Sequence, residues 1–97
     1  MKHRILLAQQ ALRDLRRLRA HDGPTVISAI AKHLMYEQRR TSKSRIKRLR
    51  GLAKPEYRLR IGDIRVFYDV ARGEVHVLAF ISKADADRWL AEEGERS

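Results

Sequence analysis

Cysteine is absent from the 97-residue sequence, and no apolar run is long enough to cross a membrane or to form the core of a secretory signal. The lack of cysteine excludes disulfide bonds and thiolate-ligated zinc, and it fits a reducing compartment such as the cytoplasm. The lack of a long apolar run predicts neither a membrane span nor a cleaved leader. A chain of this length can bury one hydrophobic core without disulfide bonds or other cross-links. We therefore expect a single domain over residues 1–97, with no metal and no cofactor.

Acidic residues are scarce relative to basic ones. The sequence has 12 Asp and Glu against 22 Lys and Arg, which gives a formal charge of +10. Such an imbalance predicts a polyanionic partner, whether a nucleic acid, the ribosome or an acidic protein.

Two runs of alternating residues flank the pair Gly62-Asp63 between Tyr57 and Val70. A glycine-led pair between such runs predicts a two-residue hairpin loop, most naturally a type II′ turn. Directly opposed residues of an antiparallel pair share a face, so Arg60 should lie opposite Arg65. One face of the hairpin is then apolar and consists of Leu59, Ile61, Ile64 and Val66. The other face, which we call the arginine face, carries Arg58, Arg60, Arg65 and Phe67.

The arginine face is a candidate phosphate-binding surface. The planar fork of an arginine matches phosphate oxygens in pairs, so three guanidinium groups on a rigid sheet could hold a phosphodiester backbone. Antiparallel sheets also often keep one face in water, where arginines only solvate that face or pair with acids. The alternation alone leaves both interpretations open.

Periodicity predicts the elements that precede the hairpin. Alternation indicates a first strand over His3–Leu7, and apolar residues at helical spacing indicate one helix from Ala8 and a second from Pro24 to about residue 38. The apolar stripes of these helices include Leu12 and Ile27, and we expect both to face the core.

A second hairpin and a last helix should complete the fold. Arg72-Gly73 predicts a two-residue turn before a strand over Glu74–Ser82, and the last helix should run to about residue 93 with Trp89 as an apolar anchor. In this register, Arg65 meets Phe80 and Phe67 meets Leu78, which would place an apolar patch on the arginine face. The predicted fold class is α+β. It has a small antiparallel-type sheet of about four strands, an N-terminal αα hairpin packed on that sheet and a short C-terminal helix.

The segment from residue 39 to residue 50 contains seven basic residues and no acid. Such a segment should be mobile when free and should offer an electrostatic contact for RNA or the ribosome, although runs of one charge are often only solvated loops. The predicted RNA- or ribosome-binding residues are Arg39, Arg40, Lys43, Arg45, Lys47, Arg48 and Arg50.

The hairpin sequence YRLRIGDIRVFYDV resembles the corresponding segment of the RelE/ParE superfamily of type II toxins, and the residues from Leu49 to Leu52 resemble the family's entry into it. For the RelE branch the resemblance implies metal-independent cleavage of messenger RNA in the ribosomal decoding site. A 2′-hydroxyl attacks the adjacent phosphate and gives a cyclic phosphate and a free 5′-hydroxyl. The positions that match the family's catalytic basic residues are Arg58 and Arg60 before the turn, Arg65 after it, and Lys83 beyond the last strand.

One departure from the family pattern keeps other functions open. Trp89-Leu90 stands where the family places a tyrosine, so the sequence offers no obvious general acid or base. The alternatives are a ParE-like inhibitor of DNA gyrase and a non-catalytic RNA- or ribosome-binding module. In each toxin reading, the resemblance implies a cognate antitoxin whose acidic or amphipathic segment covers the basic face or the predicted patch of Phe67, Leu78 and Phe80.

Overall fold

The computed structural model describes residues 3–18, 22–37 and 45–96, with side chains in the second range described as far as Leu34. The elements in chain order are β1 (Arg4–Leu7), α1 (Gln9–Arg17), α2 (Asp22–Glu37), β2 (Ile46–Arg48), β3 (Leu52–Lys54), β4 (Tyr57–Ile61), β5 (Ile64–Ala71), β6 (Glu74–Ser82), a 3₁₀ turn (Lys83–Asp85), α3 (Ala86–Glu93) and β7 (Glu95–Arg96). The predicted α+β class is confirmed. Within the described ranges, no helix combines the length and apolar character needed to cross a bilayer.

Five strands form the main sheet in the order β1-β6-β5-β4-β2, while β3 and β7 form a separate two-stranded sheet. Strand β1 runs parallel to β6 at one edge, and the other neighbours in the main sheet are antiparallel. The expected sheet of about four strands lacked β2, which comes from the segment predicted to be mobile. Ile46 explains the difference, because it is buried directly opposite Leu59 and anchors the otherwise basic strand to the core.

The register of the β4–β5 hairpin is confirmed. Arg60 pairs with Arg65, Leu59 with Val66 and Arg58 with Phe67. Gly62 has a φ of +55°, whereas Asp63 does not have a positive φ, as a type II′ turn requires.

The predicted register of the β5–β6 hairpin is correct only near its turn. Val70 pairs with Val75 and Tyr68 with Val77, but Leu78 is an extra residue in β6, so Phe67 pairs with Ala79. One added residue reverses the faces of all residues beyond it, because side chains alternate along a strand. Arg65 therefore pairs with Ile81 and not with Phe80.

The apolar patch predicted from Phe67, Leu78 and Phe80 does not form. Phe80 belongs to the core on the helical side of the sheet, and Phe67 on the opposite side is fully buried. The bulge places Phe67 and Phe80 on opposite faces, so the prediction of an antitoxin contact at these three residues loses the single apolar surface on which it rested.

The core lies between the sheet and the two N-terminal helices. Its buried members are Ala11, Val26, Ile30, Leu34, Ile46, Tyr57, Leu59, Val66, Tyr68, Val70, Val75, Val77 and Phe80. Leu12 and Ile27 were expected in this core but are 40% and 54% exposed. They lie at the outer margins of their helical stripes, which are wider than the surface that the sheet covers.

Helix α3 packs on the other side of the sheet, over part of the arginine face. The Trp89 ring stacks on the Phe67 ring at 4.9 Å between centroids with 13° between the ring planes. Ala79 and Ala86 are also buried. The chain's own C-terminal helix thus covers the apolar part of this face and leaves the basic part open.

Candidate functional site

The arginine face is more strongly basic than the hairpin alone suggested. Strand β2 adds Lys47 directly opposite Arg58, and the backbone N–H of Arg60 donates to the carbonyl of Arg45 at 2.9 Å. The residues that precede and form β2 therefore extend the same surface. Arg39, Arg40 and Lys43 lie outside the described residues.

The other two predicted RNA-binding residues lie elsewhere. Arg48 pairs with Tyr57, and its guanidinium carbon lies 5.8 Å from the centre of the Tyr57 ring. Since Tyr57 faces the core, Arg48 is on the opposite side of the sheet from Lys47. Arg50 is exposed in the turn before β3. The basic segment is thus divided between two faces by strand alternation.

A cleft of about 230 Å³ opens at the hairpin end of the arginine face. We call it the basic cleft, and its lining residues are Arg45, Arg60, Gly62, Asp63, Arg65 and Lys83. Three of the four residues predicted to be catalytic therefore come together: two line it from strands and Lys83 from the 3₁₀ turn. Arg58 lies one step further along β4 on the same face.

Arg65 is held in place by the turn that precedes it. Its side chain donates from Nη1 to the carbonyl oxygen of Gly62 at 2.8 Å and, at 3.3 Å, to that of Ile64. The residue is only 7% exposed. A guanidinium fixed in this way needs little rearrangement when negative charge develops beside it. Hydrogen-bond donors that are positioned in advance stabilise a charged transition state most effectively.

Arg58 experiences the charge of the cluster most directly. Its Nε is buried without a hydrogen-bond partner in the described structure. Burial, followed by the like charges of Arg65 and Arg60, lowers the pKa of Arg58. Within the described part of the chain, none of these three arginines forms an ion pair with a carboxylate. The site therefore has excess positive charge that a bound anion would relieve.

Lys83 reaches the cleft because the 3₁₀ turn is tied to the hairpin. The backbone N–H of Lys83 donates to the carbonyl of Asp63 at 2.7 Å. This bond joins the end of β6 to the β4–β5 turn, so Lys83 and Arg65 approach the cleft from adjoining backbone.

One residue of the cleft was missed from sequence, and one predicted apolar anchor packs beside the site. Asp63 lines the basic cleft, although the sequence marked it only as a turn residue. Trp89, at the position where a tyrosine was expected, packs on Phe67 and so serves the fold. Across the described ranges, no group of three or more His, Asp or Glu residues is arranged to hold a metal ion.

Comparison with known proteins decides the family. Residues 5–87 match the family model described as the ParE toxin of the type II toxin-antitoxin system, parDE. The chain belongs to the RelE/ParE superfamily of toxins. A search of curated protein sequences gives no match to this toxin.

Solved structures share the fold of this toxin. The RelE-RelB complex from Pyrococcus horikoshii is 24% identical, covers 86% of this chain and 97% of its own, and has a TM-score of 0.69. The toxin-antitoxin complex RelBE2 from Mycobacterium tuberculosis is 23% identical, covers 88% and 95%, and has a TM-score of 0.71. The RelB-RelE complex from Methanococcus jannaschii is 19% identical, covers 87% and 96%, and has a TM-score of 0.66.

Proposed function

We propose that this toxin is an endoribonuclease that cuts messenger RNA on the ribosome, in the cytoplasm, without a metal ion. The observation that carries the proposal is the basic cleft, where Arg65 is fixed by backbone carbonyls and Arg58, Arg60 and Arg65 have no carboxylate partner in the described structure. Such an arrangement suits an anion whose charge increases during a reaction.

The reaction would begin with attack of a 2′-hydroxyl on the neighbouring phosphate. The phosphorane that forms carries more negative charge on its non-bridging oxygens than the substrate does. Arg65 would hold these oxygens with its remaining donors, and Arg58 and Arg60 would add charge from β4. Lys83 at the rim would lie beside the leaving 5′-oxygen. Since the side chains supply the positive charge, the reaction needs no metal ion.

The wider basic surface would hold the substrate strand and the ribosome. Lys47 continues the arginine face beyond the cleft, and the exposed Arg50 extends the charge towards β3. Contacts of this kind are electrostatic and do not depend on base sequence. Selection of the cut position would then come from the ribosome and the message.

The proposed partner in the resting cell is an antitoxin. The similar solved structures include complexes named for RelE with RelB and a toxin-antitoxin complex. A net charge of +10 favours an antitoxin with an acidic segment that lies over the open, basic part of the arginine face. Phe67 would not contribute, since Trp89 already covers it.

A second candidate function is inhibition of DNA gyrase. The family model that matches the chain is that of the ParE toxin. Trp89 also stands where a tyrosine is expected in a ribonuclease of the family. In this case the arginine face would bind a protein or DNA surface and would not perform chemistry.

One experiment separates these functions. The full-length toxin is added to a cell-free translation reaction, the 5′ ends of the message are mapped, and a gyrase supercoiling assay is run at the same toxin concentrations. New 5′-hydroxyl ends in translated message, with supercoiling intact, are the expected result. Intact message with arrested supercoiling would assign the gyrase function. Neither effect at concentrations that saturate RNA binding would leave only a binding module.

A further inference from the structure

We propose that Asp63 is the general base of the basic cleft, the group that takes the proton from the attacking 2′-hydroxyl. The inference rests on the proposed ribonuclease function. It assigns the acid-base role for which the sequence, with Trp89 at the position of the expected tyrosine, offered no residue. Asp63 is the only carboxylate among the residues that line the described cleft.

The other side chains of the cleft are poorly suited to accept a proton. Arginine stays protonated at neutral pH, and lysine has no acceptor while it is charged. Within the described part of the chain, the Asp63 side chain has neither a hydrogen bond nor an ion pair, so its oxygens are available to a substrate. Carboxylates are established general bases when they reach the proton that they remove.

Two hydrogen bonds to backbone carbonyls fix the turn that carries Asp63 relative to the cations. Its own carbonyl accepts the N–H of Lys83 at 2.7 Å, and the carbonyl of the preceding Gly62 accepts Arg65 Nη1 at 2.8 Å. The type II′ turn therefore joins the proposed base, the phosphate-binding arginine and the lysine in one small unit. Because all three residues line the same cleft, a phosphate held at Arg65 would lie near both Asp63 and Lys83.

The charges around Asp63 come from every neighbouring element. Arg45 precedes β2, Arg60 lies on β4, Arg65 on β5 and Lys83 in the 3₁₀ turn. Asp22, at the start of α2, lines a second small pocket that Asp63 borders on the helical side. Asp63 is exposed, so its carboxylate is open to a substrate bound among these four cations.

The step balances without any further reactant. The 2′-hydroxyl proton moves to Asp63, the 2′-oxygen forms a bond to phosphorus, and the bond from phosphorus to the 5′-oxygen breaks. The leaving 5′-oxygen takes a proton from the ammonium group of Lys83. The products are a 2′,3′-cyclic phosphate and a 5′-hydroxyl, and water returns both residues to their starting states.

An aspartate in a hairpin turn also has a purely structural explanation, so the test must separate the two roles. Asparagine supports turns as well as aspartate does but cannot act as a base. Asp63→Asn should lower the single-turnover cleavage rate on programmed ribosomes by about 10²–10⁴-fold. Asp63→Glu should recover part of that loss. Asp87→Asn, an exposed position on α3 outside the cleft, is the matched control and should leave the rate unchanged.

The pH profile provides a readout that a structural role would not change. Between about pH 6 and 8, the rate of Asp63→Asn should rise about tenfold per pH unit as hydroxide replaces the base, and it should rise more steeply than the rate of the unaltered toxin. A message with sulfur in place of the leaving 5′-oxygen needs no protonation of the leaving group. This substrate should restore the cleavage rate of Lys83→Ala and leave the cleavage rate of Asp63→Asn low.

The results distinguish this proposal from the function on which it rests. Equal rates and equal profiles for Asp63→Asn and the unaltered toxin, with cleavage still lost in Arg65→Ala, would overturn the role of Asp63 alone. Restoration of Asp63→Asn by the sulfur substrate would also overturn it, since the residue would then act on the leaving group. No cleavage by the unaltered toxin would overturn both proposals.

Discussion

At the scale of single residues, the clearest polar contacts outside the cleft lie where β4 begins. The Glu56 N–H donates to Asp69 Oδ1 at 2.8 Å, and the Val70 N–H donates to Glu56 Oε1 at 3.1 Å. Burial raises the pKa of Asp69 and outweighs the opposing effect of the hydrogen bond from Glu56. The folded toxin therefore binds a proton at Asp69 more tightly than the unfolded chain does.

Asp69→Asn should stabilise the toxin at neutral pH. A raised folded-state pKa means that the stability contributed by Asp69 is fully present below its unfolded pKa and is lost as pH rises through the folded pKa. Asparagine keeps an oxygen acceptor for Glu56 and carries no charge, so the variant avoids this loss. Urea unfolding followed by circular dichroism should show a larger advantage of the variant at about pH 7 than at about pH 4.

The exposed Asp87→Asn variant is the control for this effect and should show no such difference between the two pH values. An Asp69→Asn variant that is less stable than the unaltered toxin at both pH values would contradict the account. It would mean that the charged carboxylate contributes more to the Glu56 contact than its burial costs.

The residue-level predictions from sequence succeeded where a turn determines the register. The shared face of Arg58, Arg60 and Arg65 followed from alternation and a two-residue loop. The position of Phe80 did not follow, because every residue from 77 to 81 is apolar and nothing in that pattern marks Leu78 as the extra one. Asp63 was recognised as a turn residue, but Arg45 before β2 and Lys83 in the 3₁₀ turn reach its cleft only through the fold.

At the scale of elements, one aromatic stack joins α3 to the sheet beside the buried Ala86. The eight-residue helix places Trp89 on Phe67, and no other aromatic pair in the described structure joins α3 to the strands. A helix this short is marginal on its own, so its stability comes from packing. The sequence identified Trp89 as an anchor but could not show that its partner lies on the arginine face.

Trp89→Ala should detach α3 and lower the free energy of unfolding by about 2–4 kcal/mol, somewhat less than full burial of the ring would imply. Trp89→Phe should preserve the stack and cost less than about 1.5 kcal/mol. Circular dichroism must follow the unfolding, because Trp89 is the only tryptophan in the chain. Equal stabilities for the two variants would contradict the stacking account.

Strand β2 shows why the basic segment was only partly predictable. Its charge and lack of apolar residues indicated a mobile loop, and the single Ile46 is too weak a pattern to predict a strand. Pairing with β4 and burial of Ile46 together outweigh the like charges of Lys47 and Arg58. The local sequence of β2 could not reveal this balance, because Ile46 pairs with Leu59 in a different segment of the chain.

At the scale of the whole molecule, the two faces of the main sheet differ in charge. One face packs on the N-terminal helices, while the other presents the basic cleft beside α3. Such a distribution should attract single-stranded RNA from a distance and weaken rapidly with salt.

RNA binding should depend steeply on ionic strength. If the arginine face neutralises about four phosphates, the slope of log affinity against log salt should be about −3, and affinity should fall about 50-fold between 50 and 200 mM salt. Lys47→Ala with Arg50→Ala should make the slope shallower by about 1.4, at about 0.7 for each cation removed, without changing the cleavage rate at saturation. Fluorescence anisotropy with a labelled RNA measures the slope. A salt-independent affinity would contradict an electrostatic interface.

The central claim is that Arg65 stabilises the transition state of RNA cleavage, and a comparison of two arginine variants tests it most directly. Arg65→Ala should reduce the single-turnover cleavage rate on programmed ribosomes by roughly 10²-fold or more while weakening RNA binding far less. Arg4→Ala removes the same charge at the opposite edge of the sheet, where Arg4 pairs with Glu74 at 3.6 Å. It should cut at the unaltered rate. Trp89 fluorescence confirms that both variants are folded. Equal rates for Arg65→Ala and Arg4→Ala, with both folded and bound to RNA, would contradict the account.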